Sequence, residues 1–195
     1  MILSALSPAL LRDKLNYFKI LFPVLLLLLS CATIVPRKNP VGDTFPDTVG
    51  TALDGKVWNF PKDTKGENVL LLVGFKQNTQ FDIDRWLIGL DQKGYKVNVF
   101  EVPTIKGWVP RMIAGKIDEG MRTGIPEELW KIVVTVYNDA EKIINFVGNE
   151  DPANARVIVL DAEGKVRLLH DRGFSVAALN RLSKYFPTKK STENP

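Results

Sequence analysis

Two hydrophobic patterns meet in the stretch VLLLVGFKQNTQFDIDRWLIGL, residues Val69–Leu90. Val69–Phe75 is a continuous apolar run, which predicts a strand that is buried on both faces of a sheet. After the polar turn Lys76–Gln80, apolar residues recur with helical spacing, which predicts an amphipathic helix over Gln80–Gln92. In open α/β sheets, functional groups lie beyond the carboxyl end of a strand, where a helix begins. The stretch therefore predicts both the fold class and the position of a functional site.

Strand and helix patterns alternate along the rest of the chain. The predicted strands are Lys56–Phe60, Val69–Phe75, Tyr95–Pro103, Lys131–Tyr137, Arg156–Asp161 and Lys165–Asp171. An irregular helical stretch is predicted over Gly107–Gly124, and further helices begin after Asn138 or Asp139 and after Ser175. This order predicts an α/β fold: a mixed β-sheet with a parallel centre, an antiparallel hairpin at its edge and helices on both faces.

The tryptophans and the basic residues of the second half have structural interpretations. Trp86, Trp108 and Trp130 have helical or turn spacing and are expected to fill the core, with an exposed aromatic patch as the alternative. Three cations, Lys116, Arg122 and Lys131, are expected on a solvated face, with contact to acidic lipid head groups as the alternative.

The first thirty residues have the pattern of an export signal. Three basic residues, Arg12, Lys14 and Lys19, precede the apolar run Ile20–Leu29, which is shorter than the about 20 residues needed to span a bilayer. A retained signal-anchor helix is the alternative. We predict a signal peptide over residues 1–30, a flexible tether over 31–44, a folded domain over 45–187 and a disordered tail over 188–195.

The end of the signal, Leu28-Leu29-Ser30-Cys31, is similar to the lipobox of bacterial lipoproteins. The resemblance implies that the Cys31 thiol receives diacylglycerol, that the signal is cut before this residue and that the new amine is acylated. Several acyl chains, at about 0.8 kcal/mol per CH₂ group, hold a protein on a bilayer essentially permanently. We therefore expect a lipid-anchored envelope protein that faces the periplasm. Ala32 after the cysteine favours the outer over the inner membrane.

Charge and residue counts exclude several classes of function. The chain has one cysteine and one histidine, so it has no disulfide, no thiol redox couple and no multi-histidine metal site. Removing Arg12, Asp13, Lys14 and Lys19 with the signal lowers the formal net charge from +4 to +2, which is too small to indicate nucleic acid binding. We predict no metal, no cofactor and no nucleic acid partner.

Several segments resemble the extracytoplasmic thioredoxin and peroxiredoxin group, namely VGDTFPDTVGTALDGKVWNFPKDTKGENVLLLVGF (Val41–Phe75) and the hairpin VIVLDAEGKV (Val157–Val166). Within this group the chain is more similar to the mitochondrial ATP synthase assembly factors of the Atp-ten family. That likeness lies in LLLVGFKQ (Leu70–Gln77) and in the middle segment Lys106–Trp130. The resemblance implies a thioredoxin-like fold and a role in assembling the membrane sector of ATP synthase.

The chain departs from redox thioredoxins at two positions. Their C-x-x-C motif would fall at about Lys76–Gln80, where no cysteine stands, so no thiolate is present for disulfide exchange or peroxide reduction. By the same resemblance, Ala155 occupies the position at which thioredoxins keep a cis-proline beside the substrate. We therefore predict a redox-inactive protein that is not an enzyme.

The candidate partner-binding residues are Lys76, Gln77, Asn78, Thr79, Gln80 and Asp84. The two glutamines would bind backbone amides of a protein segment, and Lys76 would bind a carboxylate or a lipid head group. Asp84 would pair with Lys76 or with another basic group near the turn. The alternative is that Asn78 or Thr79 only caps the helix. We predict a binding or assembly factor, or chaperone, for an unknown envelope protein complex. The alternative is a peroxiredoxin-like or other enzyme with a non-thiol active site.

Overall fold

The computed structural model describes residues 34–188, and the predicted strand at Val69 lies at the centre of its main sheet. Strand β3 (Val69–Gly74) pairs in parallel with β4 (Asn98–Pro103) and antiparallel with β6 (Arg156–Leu160), which pairs antiparallel with β7 (Val166–His170). The order of strands is therefore β4-β3-β6-β7. All six residues of β3 are buried, as its continuous apolar run predicts.

A second sheet continues the first. Its order is β2-β1-β5, built from β1 (Thr48–Ala52), β2 (Val57–Phe60) and β5 (Val134–Thr135), and β1 is antiparallel to both neighbours. Two isolated parallel bridges, from Glu101 to Val133 and from Thr104 to Val136, bring the β5 segment alongside β4. The combined sheet thus has a parallel centre and antiparallel edges.

Helices cover both faces of the main sheet. They are α1 (Gln80–Gln92), α2 (Trp108–Met112), α3 (Ala114–Gly124), α4 (Ala140–Val147) and α5 (Val176–Arg181). Alternate residues of β3 separate two cores, since Leu70 and Leu72 pack with Trp86 of α1 and with α5, whereas Leu71 and Val73 pack with α4, β1 and β2. The predicted α/β fold with helices on both faces is confirmed.

The local boundaries differ from the sequence prediction in two places. Strand β1 is not predicted, because its five residues lie in a stretch rich in turn-forming residues. Strand β5 has two residues where Lys131–Tyr137 predicts a full strand, because a 3-10 helix over Glu127–Ile132 takes up the first part of that run. Helix α1 spans the predicted residues, and Ser175 Oγ accepts a hydrogen bond from Ala178 N as the predicted cap of α5.

The segment before β1 lies against the domain, which differs from the flexible tether expected over residues 31–44. Val35 N donates to Asn149 Oδ1 (2.6 Å), and the Val35 carbonyl accepts from Asn149 N (2.9 Å). Arg37 forms an ion pair with Asp171. From Val35 onwards the segment is therefore held by hydrogen bonds and charge rather than free.

The predicted signal peptide (residues 1–30), Cys31 and all of the predicted tail except Thr188 lie outside the described residues. Between residues 34 and 188, the structure contains no helix with the length and apolar character needed to cross a membrane.

The tryptophans do not all lie in the core. Trp86 is fully buried, and Trp130 is half-buried with its Nε1 donating to the Ile125 carbonyl at 2.9 Å. Trp108 is 65% exposed. The expectation of a core position is therefore wrong for Trp108, because the insertion between β4 and β5 folds as two short helices that contain no buried residue.

Candidate functional site

The carboxyl ends of β3 and β4 form one edge of the sheet, called here the carboxyl edge. The two parallel strands end side by side, and Thr104 N donates to the Gly74 carbonyl (2.8 Å). Strand β6 begins at this edge, since Arg156 pairs with Val73. Three segments therefore meet here: the turn Lys76–Gln80, the chain that leaves β4 and the loop that leads into β6.

The turn presents polar side chains on a fixed backbone. Lys76, Gln77 and Asn78 are exposed, whereas Thr79 is buried. The Thr79 hydroxyl accepts from Lys76 N (3.2 Å) and donates to the Pro152 carbonyl (2.8 Å). Thr79 makes no side-chain bond that caps α1. The Thr79 side chain therefore does not cap α1 itself; it takes part in the capping box of the 3-10 turn Gln77–Thr79 and ties this turn to the loop before β6.

Gln80 lies between two carboxylates. Its Nε2 donates to Asp84 Oδ1 (2.9 Å), one helical turn further on, and lies 3.5 Å from Glu101 Oε2 of β4. The partner of Asp84 is thus Gln80 rather than Lys76. Glu101 is only 6% exposed, and burial raises the pKa of its carboxyl to about 7, while the Gln80 bond lowers it and the charge of Asp84 raises it.

Asp82, in the first turn of α1, is an interior residue that is 5% exposed. Its Oδ2 accepts from Ala155 N (2.9 Å) and its Oδ1 accepts from Phe174 N (2.7 Å). Helix α1 is thereby attached to the residue before β6 and to the loop before α5. A proline at position 155, as the thioredoxin resemblance would place there, would have no N–H to donate. Alanine at this position, with its backbone N–H, allows the contact.

Arg156 fixes the loop before β6. Its buried guanidinium donates to the carbonyls of Glu150, Asp151 (3.1 Å) and Asn154 (2.9 Å), and it lies over the ring of Phe75 at 5.2 Å from the centroid. Burial lowers the pKa of this guanidinium. The loop at the carboxyl edge is thus held by carbonyl contacts to a single buried cation.

The groups at this edge can bind a partner but include no activated nucleophile. The only cysteine of the chain is Cys31, and the Thr79 hydroxyl already both accepts and donates a hydrogen bond. Among residues 34–188 no cluster of three or more His, Cys, Asp or Glu side chains is placed to hold a metal ion. The exposed ammonium of Lys76 and the exposed amides of Gln77 and Asn78 can exchange hydrogen bonds with a polypeptide.

Asp82, Glu101 and Arg156 shape this edge, and the sequence patterns do not predict their roles. The partners of Asp82 lie 73 and 92 residues away in sequence, which no local pattern shows. Glu101 does carry a local signal, since it is the one charged residue inside the strand NVFEVP. A charged residue inside an apolar strand is expected to be either paired or functional.

Neither a known protein-family model nor a curated protein sequence matches this chain. Solved structures do match. Yeast Sco1 with copper bound superposes with a TM-score of 0.52 at 10% identity, over 75% of this chain and 92% of that chain. The exposed lipoprotein thioredoxin from Streptococcus pneumoniae superposes with a TM-score of 0.50 at 16% identity, over 71% of this chain and 98% of that chain. BsSco, a member of the Sco family of cytochrome c oxidase assembly proteins, superposes with a TM-score of 0.50 at 13% identity, over 76% of this chain and 96% of that chain. These likenesses show a thioredoxin-like fold.

We expect Asp82→Asn to destabilise the domain by about 2–3 kcal/mol, because the amide oxygen can replace only one of the two carboxylate oxygens that accept from Ala155 N and Phe174 N. Urea unfolding measures the loss. The matched control is Asp84→Asn, which changes an exposed side chain and should stay within about 0.5 kcal/mol of the wild type. Equal stability of the two variants would contradict the role assigned to Asp82.

The raised pKa of Glu101 predicts a pH-dependent stability. The native carboxyl binds its proton more tightly than the unfolded chain does, so stability is highest below the ordinary pKa near 4.5 and falls as pH rises to about 7. Glu101→Gln should remove this fall, which amounts to at most about 3 kcal/mol. The measurement is urea unfolding of both proteins at about pH 5 and about pH 8. If the free energies of unfolding of the wild type and Glu101→Gln differ by the same amount at both pH values, the pKa of Glu101 is not raised.

Proposed function

We propose that this chain is a membrane-anchored, redox-inactive thioredoxin-like lipoprotein that binds an envelope protein complex as an assembly factor or chaperone. The observation that carries the proposal is the turn Lys76–Gln80. It stands where open α/β folds place their functional groups, and it offers exposed amides and an ammonium group instead of thiols. Because Thr79 fixes its backbone, binding needs little further ordering of the chain.

The sequence before the domain supports the lipid anchor. Leu28-Leu29-Ser30-Cys31 is similar to a lipobox, and the neighbour from Streptococcus pneumoniae is called a lipoprotein thioredoxin, so this fold occurs in a lipoprotein. Acylated Cys31 would hold the protein on the bilayer, with the domain in the periplasm. Ala32 favours the outer membrane.

Two likenesses support the assembly role. The segment Lys106–Trp130 resembles the mitochondrial ATP synthase assembly factors, and BsSco belongs to a family of cytochrome c oxidase assembly proteins. A lipoprotein of the outer membrane would be remote from an ATP synthase. A general chaperone or scaffold for an envelope complex is therefore better supported than assembly of that particular enzyme.

One observation favours an enzyme as the second candidate. Burial raises the pKa of Glu101 to about 7, and a carboxyl that titrates near neutral pH is suited to general acid–base catalysis. Such an enzyme would work without a thiol at the carboxyl edge. Turnover by the wild type that Glu101→Gln abolishes would support it, whereas a binding protein would have no turnover to lose.

Photocrosslinking from the turn tests the binding function. A photoactivatable amino acid replaces Gln77 in the full-length protein in its native membranes, and mass spectrometry identifies the adduct. The control position is Lys65, which is exposed shortly before β3 and therefore lies at the opposite end of that strand. We expect a defined protein adduct from position 77 only, and a several-fold lower yield when Lys76→Ala and Gln80→Ala are added.

Equal labelling from positions 77 and 65 would contradict specific binding at the turn. An unchanged yield with Lys76→Ala and Gln80→Ala would show that the adduct reports proximity rather than recognition by these side chains.

A further inference from the structure

The insertion between β4 and β5 carries an exposed apolar patch. Trp108, Val109, Met112 and Ile113 are exposed by 65, 55, 71 and 45%. A spacing of four residues places Trp108 beside Met112 and Val109 beside Ile113 on the helix surface. The four side chains, called here the α2 patch, therefore lie close together on one short helical segment and remain largely exposed in the described structure.

The chain around the α2 patch is basic. Residues 105–117 contain Lys106, Arg111 and Lys116 and no acidic residue. Lys106 pairs with Glu141 (3.2 Å), but within the described part of the chain neither Arg111 nor Lys116 forms an ion pair. A tryptophan among apolar side chains, flanked by cations that form no ion pair, is typical of a surface that lies in the head-group region of a membrane.

The α2 patch belongs to the carboxyl edge. Helix α2 begins five residues after β4 ends. The start of α3 is held to the segment after β5, because Tyr137 Oη donates to Asp118 Oδ1 (2.8 Å) and lies 3.3 Å from the Ala114 carbonyl oxygen. Phe81, in the first turn of α1, is a further apolar side chain at this edge and is 72% exposed.

The chain also enters the domain at the carboxyl edge. Arg37 pairs with Asp171, which directly follows the end of β7, and β7 ends where β6 begins. Val35 is already bonded to the loop before β6. Three residues separate Cys31 from Val35, so the four Cα–Cα steps between them span at most about 14 Å. An acylated Cys31 would therefore bring the carboxyl edge, rather than the opposite edge, close to the bilayer.

We propose that the α2 patch, together with Phe81, rests in the interface of an anionic lipid bilayer when the protein is anchored. The proposal rests on the anchor at Cys31 and adds a second contact to it. Arg111 and Lys116 meet lipid phosphates while the apolar side chains reach the acyl boundary. The two contacts together fix the orientation of the domain, so that the turn Lys76–Gln80 faces a client at the membrane surface.

The test is a fluorescence measurement on the full-length acylated protein in vesicles. Acylation blocks the only native thiol, so Met112→Cys supplies a single site for the environment-sensitive dye NBD. The control carries the dye at Val57→Cys, a position on β2 that is 53% exposed. In vesicles of phosphatidylethanolamine and phosphatidylglycerol, we expect blue-shifted emission and quenching by doxyl-labelled lipid at position 112, and water-like emission at position 57.

Charge variants test the anionic lipid requirement. Arg111→Gln and Lys116→Gln should each shift the equilibrium from lipid contact towards water by about fivefold, as expected for a cation near an anionic surface. The matched pair Lys65→Gln and Lys165→Gln, both on exposed residues away from the patch, should leave the signal unchanged. Equal effects of the two pairs, or equal quenching in phosphatidylcholine alone, would overturn the proposed requirement for anionic lipid.

Flotation of the vesicles distinguishes a failure of the proposed membrane contact at the α2 patch from a failure of the proposed anchor at Cys31. Flotation of the wild type with water-like emission at position 112 would overturn the membrane contact and leave the anchor in place. If Cys31→Ser floats with the vesicles as well as the wild type does, Cys31 is not the anchor. The main reason to assign a lipid bilayer to the α2 patch is then lost as well. A shifted emission in native membranes but not in pure-lipid vesicles would assign the patch to a protein and overturn the proposal.

Discussion

The carboxylate of Asp82 holds the carboxyl edge together. It stands in the first turn of α1, and its two oxygens accept hydrogen bonds from Ala155 N and Phe174 N. These donors begin the approach to β6 and to α5, so one buried side chain links three elements. Without it two N–H groups would lose their partner, and the one at Ala155 is buried, where an unpaired N–H is costly. The position of α1, and of the turn Lys76–Gln80 before it, depends on this contact.

The hydrophobic patterns predict the centre of the fold better than its site. Strand β3 is apolar throughout and α1 keeps its helical spacing of apolar residues over the whole element, so both are recognisable from sequence. The position of the polar turn Lys76–Gln80, at the end of β3, is also recognisable from sequence. The roles of its residues are not, because they arise from contacts such as that of Thr79 with Pro152, 73 residues away. Trp108 is missed for another reason: aromatic residues usually signal a core, and here one marks an exposed face.

The proposed functions divide the carboxyl edge between two partners. The turn Lys76–Gln80 offers hydrogen bonds and one cation, which suit a polypeptide, whereas the α2 patch offers apolar surface flanked by cations, which suits a membrane. Redox thioredoxins place thiols at this edge and a proline beside them. In this chain Ala155 N donates a hydrogen bond to the carboxylate of Asp82. By the resemblance to thioredoxins, Ala155 stands where a proline would contact a redox substrate, and here its N–H helps to hold the domain together.

A double-mutant cycle between Asp82 and Ala155 tests this account most directly. Ala155→Pro restores the residue that the resemblance to thioredoxins would place there, but it removes the N–H that Asp82 accepts from. The account predicts that this change destabilises the wild type by about 1–3 kcal/mol more than it destabilises the Asp82→Ala variant. If Ala155→Pro has the same effect in both backgrounds, the hydrogen bond contributes no measurable coupling and the account is contradicted.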